Sequence, residues 1–219
     1  MKTVAVVPMK LNNQRLPGKN IRSFKNGKPL CAYILTTLLT IEHIDEVYVY
    51  CSNPDIQKYL PKGIHYLKRP ESLDSDTTSM SDVLSCFAAD VPADIYLMSH
   101  ATSPFVTKIS ITKGLNAVIS GMFDSAFAAI KVQDFLWVDG KPMNYKLDNI
   151  PRTQDLKPLY KETSGFYIYT NEVITSLHRR IGNKPFIVEV NEIEATDIDE
   201  MEDFLVAEAI YNHILYPKE

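Results

Sequence analysis

Three cationic side chains stand within ten residues in the loop that follows the first hydrophobic segment. They are Lys10, Arg15 and Lys19, in a stretch that carries a Pro-Gly turn and ends at Asn20. Lysine and arginine neutralise phosphate oxygens and donate hydrogen bonds to them, so this spacing suits a triphosphate. The stretch lacks the glycine patterns of the P-loop and of dinucleotide-binding turns. It therefore predicts a nucleotide site of another kind, the simpler alternative being a solvated basic loop.

Two carboxylates near the C-terminal end of the chain form a second chemical pattern. Asp197 and Asp199 are separated by one residue, and in an extended segment their side chains point to the same side. Such a pair suits Mg²⁺, which keeps bound waters and takes further ligands from nucleotide phosphates. The alternative is that Asp199 caps the following helix together with Glu202. Both roles are compatible, since a capping carboxylate keeps a free oxygen.

Strand and helix patterns alternate along most of the chain and must position these groups. Hydrophobic, β-branched runs predict strands at residues 3–7, 46–51, 64–67, 93–98, 125–130, 165–169 and 185–190. Helical spacing predicts helices at residues 29–39, 54–60, 77–89, 109–120, 172–177 and 200–216. This alternation predicts an α/β fold with a mostly parallel sheet and helices on both faces. Ligands of such sheets bind at the carboxyl ends of the strands, where the basic loop begins.

The alternation stops at residues 131–161, which show no sustained period. Phe135, Leu136 and Trp137 lie in this stretch together with several prolines. Irregular segments of this length are uncommon in compact domains unless they are functional or packed against something. We therefore predict a single domain at residues 1–219 in which residues 131–161 form a protruding dimerisation arm. The alternative is a surface hairpin that folds onto its own domain.

Composition limits the classes of function that the chain can have. The formal net charge of −4 argues against nonspecific nucleic-acid binding, which needs a positive field. The spacing of Cys31, Cys51 and Cys86 fits neither a zinc site nor a redox pair, so we expect small buried thiols in a reducing compartment. The sequence shows no signal peptide and no stretch of transmembrane length. These features predict a cytoplasmic protein that binds neither nucleic acid nor membrane.

The basic loop and the paired aspartates resemble motifs of the sugar-activating cytidylyltransferases. That family includes the acylneuraminate and 3-deoxy-manno-octulosonate cytidylyltransferases. Arg15 to Asn20 fit the end of its N-terminal signature, and Lys10 stands where arginine is usual. Asp197 and Asp199 fit its Asp-Ile-Asp segment before the last helix. The resemblance implies a Rossmann-like three-layer α/β/α nucleotidyltransferase that binds CTP through the three loop cations and Mg²⁺ through the aspartates.

Residues 69–79 resemble the segment that lines the base and ribose pocket in this family. By itself the segment predicts a turn followed by a hydroxyl-rich helix start. The resemblance implies nucleotide contacts for Arg69 and Ser79, as it does for Asn20 in the basic loop. Met80 replaces a serine that the family often carries, so the resemblance does not extend to the finer nucleotide contacts.

Two further segments resemble the acceptor side of the acylneuraminate branch. His100, Thr102 and Ser103 follow the predicted central strand, and His100 replaces a glutamine of that branch. A single histidine is more often structural than catalytic, but at this sheet edge it becomes a candidate acceptor contact or proton carrier. Arg152 and Tyr160 belong to a second match, which a threonine interrupts, and the alternative for Arg152 is an exposed turn residue. The resemblance implies acceptor contacts for all five.

The five matched segments follow the family order, and they imply transfer of CMP from CTP to a small acidic acceptor with release of pyrophosphate. By resemblance the acceptor is an acylneuraminate-like sugar acid for surface polysaccharide, and the enzyme is a homodimer. The departures from the motifs leave open another nonulosonic acid, or a phosphorylated or phosphonate acceptor. A nucleotide-binding module without turnover is the alternative from another class, and the paired aspartates and three retained cations argue against it. The missing glycine fingerprint argues against a nicotinamide dehydrogenase.

Overall fold

The structure is a computed structural model and describes residues 1–216. Its strands are β1 Thr3–Met9, β2 Glu46–Cys51, β3 His65–Lys68, β4 Ile95–Ser99, β5 Ser125–Val132, β6 Trp137–Val138, β7 Lys141–Pro142, β8 Leu159–Thr170 and β9 Pro185–Glu189. Its α-helices are α1 Leu30–Leu38, α2 Met80–Asp90, α3 Lys108–Ile119, α4 Asn171–Leu177 and α5 Met201–Ile210. The predicted alternation of strands and helices is therefore confirmed, with Pro54–Tyr59 forming a 3₁₀ helix. The last three residues of the predicted domain, 217–219, lie outside the described residues.

Seven strands form one sheet in the order β3-β2-β1-β4-β8-β5-β9. Parallel pairs join β1 to β2 and β4, β2 to β3, and β5 to β9. Only β8 runs antiparallel, between β4 and β5. The predicted α/β fold with a mostly parallel sheet is thus confirmed, and the carboxyl ends of β1, β2, β3 and β4 lie at one edge.

The two faces of the sheet carry separate hydrophobic cores, because successive side chains of a strand point to opposite faces. Ala5 and Val7 of β1 pack with α1 and α3 in one core. Val4 and Val6 pack with α2 and α4 in the other. A third cluster joins the segment after the basic loop to α5 through Phe24 and Phe204, whose ring centroids are 5.0 Å apart. The layers are those of the predicted three-layer fold.

Several predicted boundaries are wrong. β1 continues through Pro8 to Met9 in register with β2, although Pro8 was expected to end it. The pairing of β1 with β4 ends at Val6. Proline has no amide hydrogen to donate, and Pro8 lies beyond the residues of β1 that pair with β4. The irregular segment is shorter than the predicted arm of residues 131–161, because β5 extends to Val132 and β8 begins at Leu159. Between them lie the two-stranded ribbon β6-β7 and a 3₁₀ turn.

The last helix also differs from its prediction at both ends. α5 begins at Met201 and ends at Ile210, and a π-helical turn follows at Tyr211–Leu215. The predicted cap by Asp199 and Glu202 is wrong. The Asp203 carboxylate instead accepts hydrogen bonds from the backbone amides of Asp199 and Glu200, both at 2.9 Å. The side chain of Asp199 is therefore not needed as a helix cap.

Candidate active site

A cleft of about 410 Å³ opens at the carboxyl edge of the sheet, between the ends of β1 and β4. β1 stays paired with β2 as far as Met9 but leaves β4 after Val6, so the two central strands separate there. The chain runs from β1 outwards to β2 and β3 and then crosses back to β4 on the other side of β1. Such a switch point is the usual place for a ligand site in open α/β folds. The predicted site residues that line this cleft are Lys10, Arg15, Lys19, Asn20, Arg69, His100, Thr102, Asp197 and Asp199.

Asp76 holds one end of the basic loop. Its Oδ1 atom accepts a hydrogen bond from Lys10 Nζ at 2.9 Å, and its Oδ2 atom accepts one from Gln14 Nε2 at 2.7 Å. Inside the loop, Asn20 Nδ2 donates to the carbonyl oxygen of Lys10 at 3.0 Å. The pKa of Asp76 lies below its ordinary value because of the hydrogen bond and charge of Lys10. The loop ends are thereby tied to each other and to the segment after β3.

Asp199 holds the other two cations. Its Oδ2 atom accepts from Arg15 Nη1 at 2.7 Å, and its Oδ1 atom accepts from Lys19 Nζ at 3.0 Å. Burial acts to raise the pKa of Asp199, but the hydrogen bonds and charges of Lys19 and Arg15 outweigh it and leave the pKa below 3.8. Two cations thus converge on one carboxylate.

The backbone of the loop explains why Lys19 is placed so firmly. Gly18 has a φ of 66°, in the left-handed region that glycine adopts without strain, and the 3₁₀ helix Lys19–Ile21 follows it. Leu16 is buried with Phe24 in the third hydrophobic cluster. The side chain of Lys19 is only 10% exposed, against 62% for Arg15. Lys19 is therefore the buried, preorganised cation of the loop and Arg15 the exposed one.

Asp197 is positioned separately from Asp199. Its Oδ2 atom accepts a hydrogen bond from Ser164 Oγ at 2.8 Å, whereas its buried Oδ1 atom has no hydrogen-bond partner within residues 1–216. The next residue, Ile198, donates its amide to the carbonyl oxygen of Thr102 at 3.0 Å. The carboxylate pair is thereby attached to the loop that follows β4.

The carboxylates on the cleft suit Mg²⁺ only in a mode that needs few protein ligands. Residues 1–216 contain no group of three or more histidine, cysteine or acidic side chains arranged to hold a metal. Magnesium commonly uses only one or two carboxylates and completes its shell with water and phosphate. The unpaired Oδ1 atom of Asp197 and the neighbouring Asp199 carboxylate on the same cleft fit that mode.

Arg69 forms the wall of the cleft on the β3 side. It is 4% exposed and forms an ion pair with Asp74, whose Oδ2 atom accepts from Ser52 Oγ at 2.5 Å. Ser79 does not line the cleft; it begins α2, where its side chain and that of Asp82 form a reciprocal capping box. Its neighbours Thr78 and Met80 line the cleft instead. A nucleotide contact by Ser79 stays a prediction.

The predicted acceptor residues separate into two groups. His100 and Thr102 line the cleft, and Ser103 is buried directly behind them at 1% exposure. Arg152 and Tyr160 lie outside the cleft: Arg152 is exposed on the arm and pairs with Asp155 at 2.8 Å, and Tyr160 is exposed on β8. Within one chain the structure does not bring the arm residues to the acceptor side.

His100 is uncharged at neutral pH. Burial lowers its pKa from 6.5 to about 4, with Arg180 and Lys19 acting in the same direction and the charges of Asp197 and Asp199 opposing them. A neutral imidazole has one nitrogen that accepts a hydrogen bond and one that donates. At this position it can orient a hydroxyl group or accept its proton.

The sequence interpretation missed several residues that hold the site together. Asp74 and Asp76 lie in the segment quoted for Arg69, and their alternation in Asp-Ser-Asp was the available signal. Ser164 orients Asp197, but no local pattern marks it. Asn13 also lines the cleft, and its buried Oδ1 atom has no partner among residues 1–216.

The fold is shared with solved structures of two enzymes. A solved structure of CMP:2-keto-3-deoxy-manno-octonic acid synthetase complexed with CTP superposes with a TM-score of 0.74, at 18% identity, over 96% of this chain and 98% of the other. A 4-diphosphocytidyl-2C-methyl-D-erythritol synthase from Anaerococcus prevotii superposes with a TM-score of 0.68, at 15% identity, over 96% of each chain. At these identities the likeness shows the shared fold.

The chain belongs to the cytidylyltransferase family, whose model matches residues 4–213. It is 28% identical to the CMP-N,N'-diacetyllegionaminic acid synthase of Legionella pneumophila, over 96% of both chains. It is 25% identical to a pseudaminic acid cytidylyltransferase of Campylobacter jejuni, over 97% of this chain and 98% of the other. The N-acylneuraminate cytidylyltransferase A of Danio rerio is also 25% identical, over 93% of this chain and 49% of the relative. The family resemblance seen in the sequence is confirmed.

Relatives differ in how much of their length this chain spans. It spans about half of the Danio rerio protein. It spans 42% of a Helicobacter pylori relative that is named as both a pseudaminic acid cytidylyltransferase and a hydrolase. Within residues 1–216, no helix combines the length and hydrophobicity needed to cross a bilayer.

Proposed function

We propose that this chain transfers a cytidylyl group from CTP to an acylneuraminate-like sugar acid and releases pyrophosphate. One observation carries the proposal: three loop cations are assembled beside Asp197 and Asp199 at the carboxyl edge of the sheet. Family membership supports cytidine as the base. The printed names of the Legionella and Campylobacter relatives, which this chain matches over nearly their full length, support a sugar acid as the acceptor.

In the proposed reaction an acceptor oxygen attacks the α-phosphorus of CTP. The new bond joins that oxygen to phosphorus, the bond to the bridging oxygen of the β-phosphate breaks, and the acceptor proton leaves. Lys10, Arg15 and Lys19 neutralise the departing pyrophosphate, so charge stabilisation and positioning supply most of the acceleration. In the free chain these cations rest on Asp76 and Asp199, and the triphosphate replaces those contacts.

We further propose that Asp197 and Asp199 hold Mg²⁺, which when bound neutralises phosphate charge. The unpaired Oδ1 atom of Asp197 supports this role. Ser164 keeps Asp197 oriented by its hydrogen bond to Oδ2. Arg15 and Lys19, which contact Asp199 in the free chain, would be available to the triphosphate once Asp199 held the metal.

Arg69, Asn20 and Ser79 complete the proposed nucleotide side, and His100, Thr102 and Ser103 the acceptor side. Arg152 and Tyr160 reach an acceptor only if the arm enters the cleft of a second copy. The arm carries exposed hydrophobic side chains, among them Trp137 at 55% and Leu147 at 63%, which supports a homodimer. The free thiols of the three cysteines support a cytoplasmic location.

Pyrophosphate release tests the proposal directly. The assay combines Mg²⁺, each of the four common nucleoside triphosphates, and a panel of sugar acids and phosphonates. Asp199→Asn removes one charge at the cleft, and Glu42→Gln removes one at an exposed site between α1 and β2, on the opposite edge of the sheet. We expect release that needs CTP and a sugar acid, is lost in Asp199→Asn, and persists in Glu42→Gln.

Other outcomes separate the alternatives. Release with a phosphonate alone would replace the sugar acid as the acceptor class. CTP binding without release for any acceptor would support the binding module and contradict the proposed transfer.

A further inference from the structure

Arg180 belongs to a cluster that the motifs do not mark. Its guanidinium carbon lies 3.8 Å from the ring centroid of Tyr167. Its Nη2 atom donates to Tyr167 Oη at 3.1 Å and to Glu162 Oε1 at 3.3 Å. Tyr167 Oη donates in turn to Glu162 Oε1 at 2.5 Å. The stacked ring and the two oxygen atoms hold the guanidinium plane in one orientation.

The guanidinium keeps unused hydrogen-bonding capacity. Its Nε and Nη1 atoms make no hydrogen bond to protein among the residues that the structure describes, and the side chain is 30% exposed. A planar fork with free N–H groups matches a carboxylate. Glu162 pairs with one edge of the guanidinium and orients it, and the edge that carries Nε and Nη1 stays available.

Arg180 also lies beside the acceptor side of the cleft. It lines a cavity of about 360 Å³ together with Met80, Ser81 and Ile181, and Met80 also lines the main cleft. Tyr167, which the guanidinium contacts, pairs with Met98 of β4, two residues before His100. Ser164, three residues before Tyr167 on β8, donates to Asp197. Arg180 is therefore held on the strand that adjoins both His100 and Asp197.

We propose that Arg180 is the specificity-determining anchor for the carboxylate of the acceptor, with Tyr167 and Glu162 as the groups that position it. The inference rests on the proposed sugar-acid acceptor. The apolar side chains of Met80 and Ile181 offer adjoining surface for the rest of the acceptor. Arg152, the arginine marked by its motif, lies on the exposed arm and pairs with Asp155.

The test removes the proposed ion pair in two ways, by changing Arg180 in the enzyme and by replacing the carboxylate of the acceptor with a carboxamide. Arg180→Gln and Arg180→Lys are assayed with a sugar acid that the unmodified enzyme accepts, and with the carboxamide of that acid. Lys184→Gln is the control for loss of one positive charge, since it is an exposed cation four residues further along the chain. Michaelis constants for CTP and for the acceptor are measured separately, and thermal unfolding is followed for every variant.

We expect Arg180→Gln to raise the KM for the acid about tenfold or more, because a charged hydrogen-bonded pair is lost. The KM for CTP stays within about twofold, as for a group that touches only the acceptor. With the carboxamide, the unmodified enzyme and Arg180→Gln become alike. Arg180→Lys falls between the two because it keeps the charge and loses the fork.

Three results would overturn the inference while leaving the proposed transfer intact. These are an unchanged KM for the acid in Arg180→Gln, equal losses for the acid and the carboxamide, or equal increases in both Michaelis constants with a lowered melting temperature. Absence of turnover in the unmodified enzyme would instead contradict the proposed function itself.

Discussion

The proposed nucleotide side and the proposed acceptor side of the cleft differ in how well local sequence indicates their residues. On the nucleotide side, Lys10, Arg15 and Lys19 lie in one loop and converge on Asp76 and Asp199. On the proposed acceptor side, the motif arginine Arg152 lies on the exposed arm, whereas Arg180, which no motif marks, contacts Tyr167 on the strand next to β4. The strand that precedes a short loop fixes the position of the loop residues. The position of a residue on a long arm depends on how the whole arm folds, which local sequence does not indicate.

The largest expected effect tests the nucleotide side. Lys19→Gln removes the buried cation that contacts Asp199, so we expect pyrophosphate release to fall about 10²–10³-fold, as for loss of one preorganised charge at a transition state. Lys25→Gln is the matched control, since Lys25 is exposed and six residues further along the chain. The measurement is the initial rate at saturating CTP and acceptor.

A loss of less than about tenfold in Lys19→Gln, below the range for a preorganised group, would reject the idea that the loop is preorganised through this residue. Melting temperatures accompany the rates, because removing one partner of a partly buried ion pair also destabilises the fold. A fully folded but inactive variant is the result that supports the argument.

A smaller effect on stability is expected at the acceptor side. Since burial lowers the pKa of His100 from 6.5 to about 4, the unfolded chain binds a proton in this window that the folded chain does not. The free energy of unfolding therefore falls as the pH drops from 6.5 towards 4. His100→Gln removes this contribution, about 1–3 kcal/mol for a partly buried group.

Chemical denaturation of both proteins across this pH range measures the difference. The titrations of the aspartates occur in both proteins and cancel in the comparison. Parallel pH profiles would show that His100 is solvated enough to be protonated in the folded state, and would remove its role as a neutral hydrogen-bonding group.

The smallest effect is expected on the arm. Arg152 is exposed and pairs with Asp155 three residues away, and surface pairs of this kind contribute little. At protein concentrations where the chain is monomeric, Arg152→Gln changes the acceptor KM less than about twofold, since a solvated surface charge contributes little. Rates and sedimentation are measured over the same concentration range.

An increase in KM that appears only where the chain is dimeric would assign Arg152 to the site of a second subunit. That result would sharpen the comparison, because it would place both arginines on the acceptor side from different chains. A large increase in the monomer would contradict the position of Arg152 on the exposed arm.

Much of the fold was predictable because hydrophobic periodicity reports burial locally. β2 has its predicted bounds, and the other strands of the sheet differ by a few residues at their ends except β8. Its first half was missed because Tyr160, Lys161 and Glu162 are exposed in the structure. These residues carry no hydrophobic alternation, and they become a strand only by pairing with Ala129, Ile130 and Lys131 of β5.

The sequence alone determined which elements form and which residue types reach the carboxyl edge of β1 and β4, because both follow from short-range patterns. Only the tertiary structure decided which charges meet. Lys10 and Asp76 are 66 residues apart along the chain, and Arg15 and Asp199 are 184 apart. The same holds for Arg180, which reaches Tyr167 and Glu162 only because α4 returns along β8. Ion pairs form through space, and the order of strands in the sheet sets those distances.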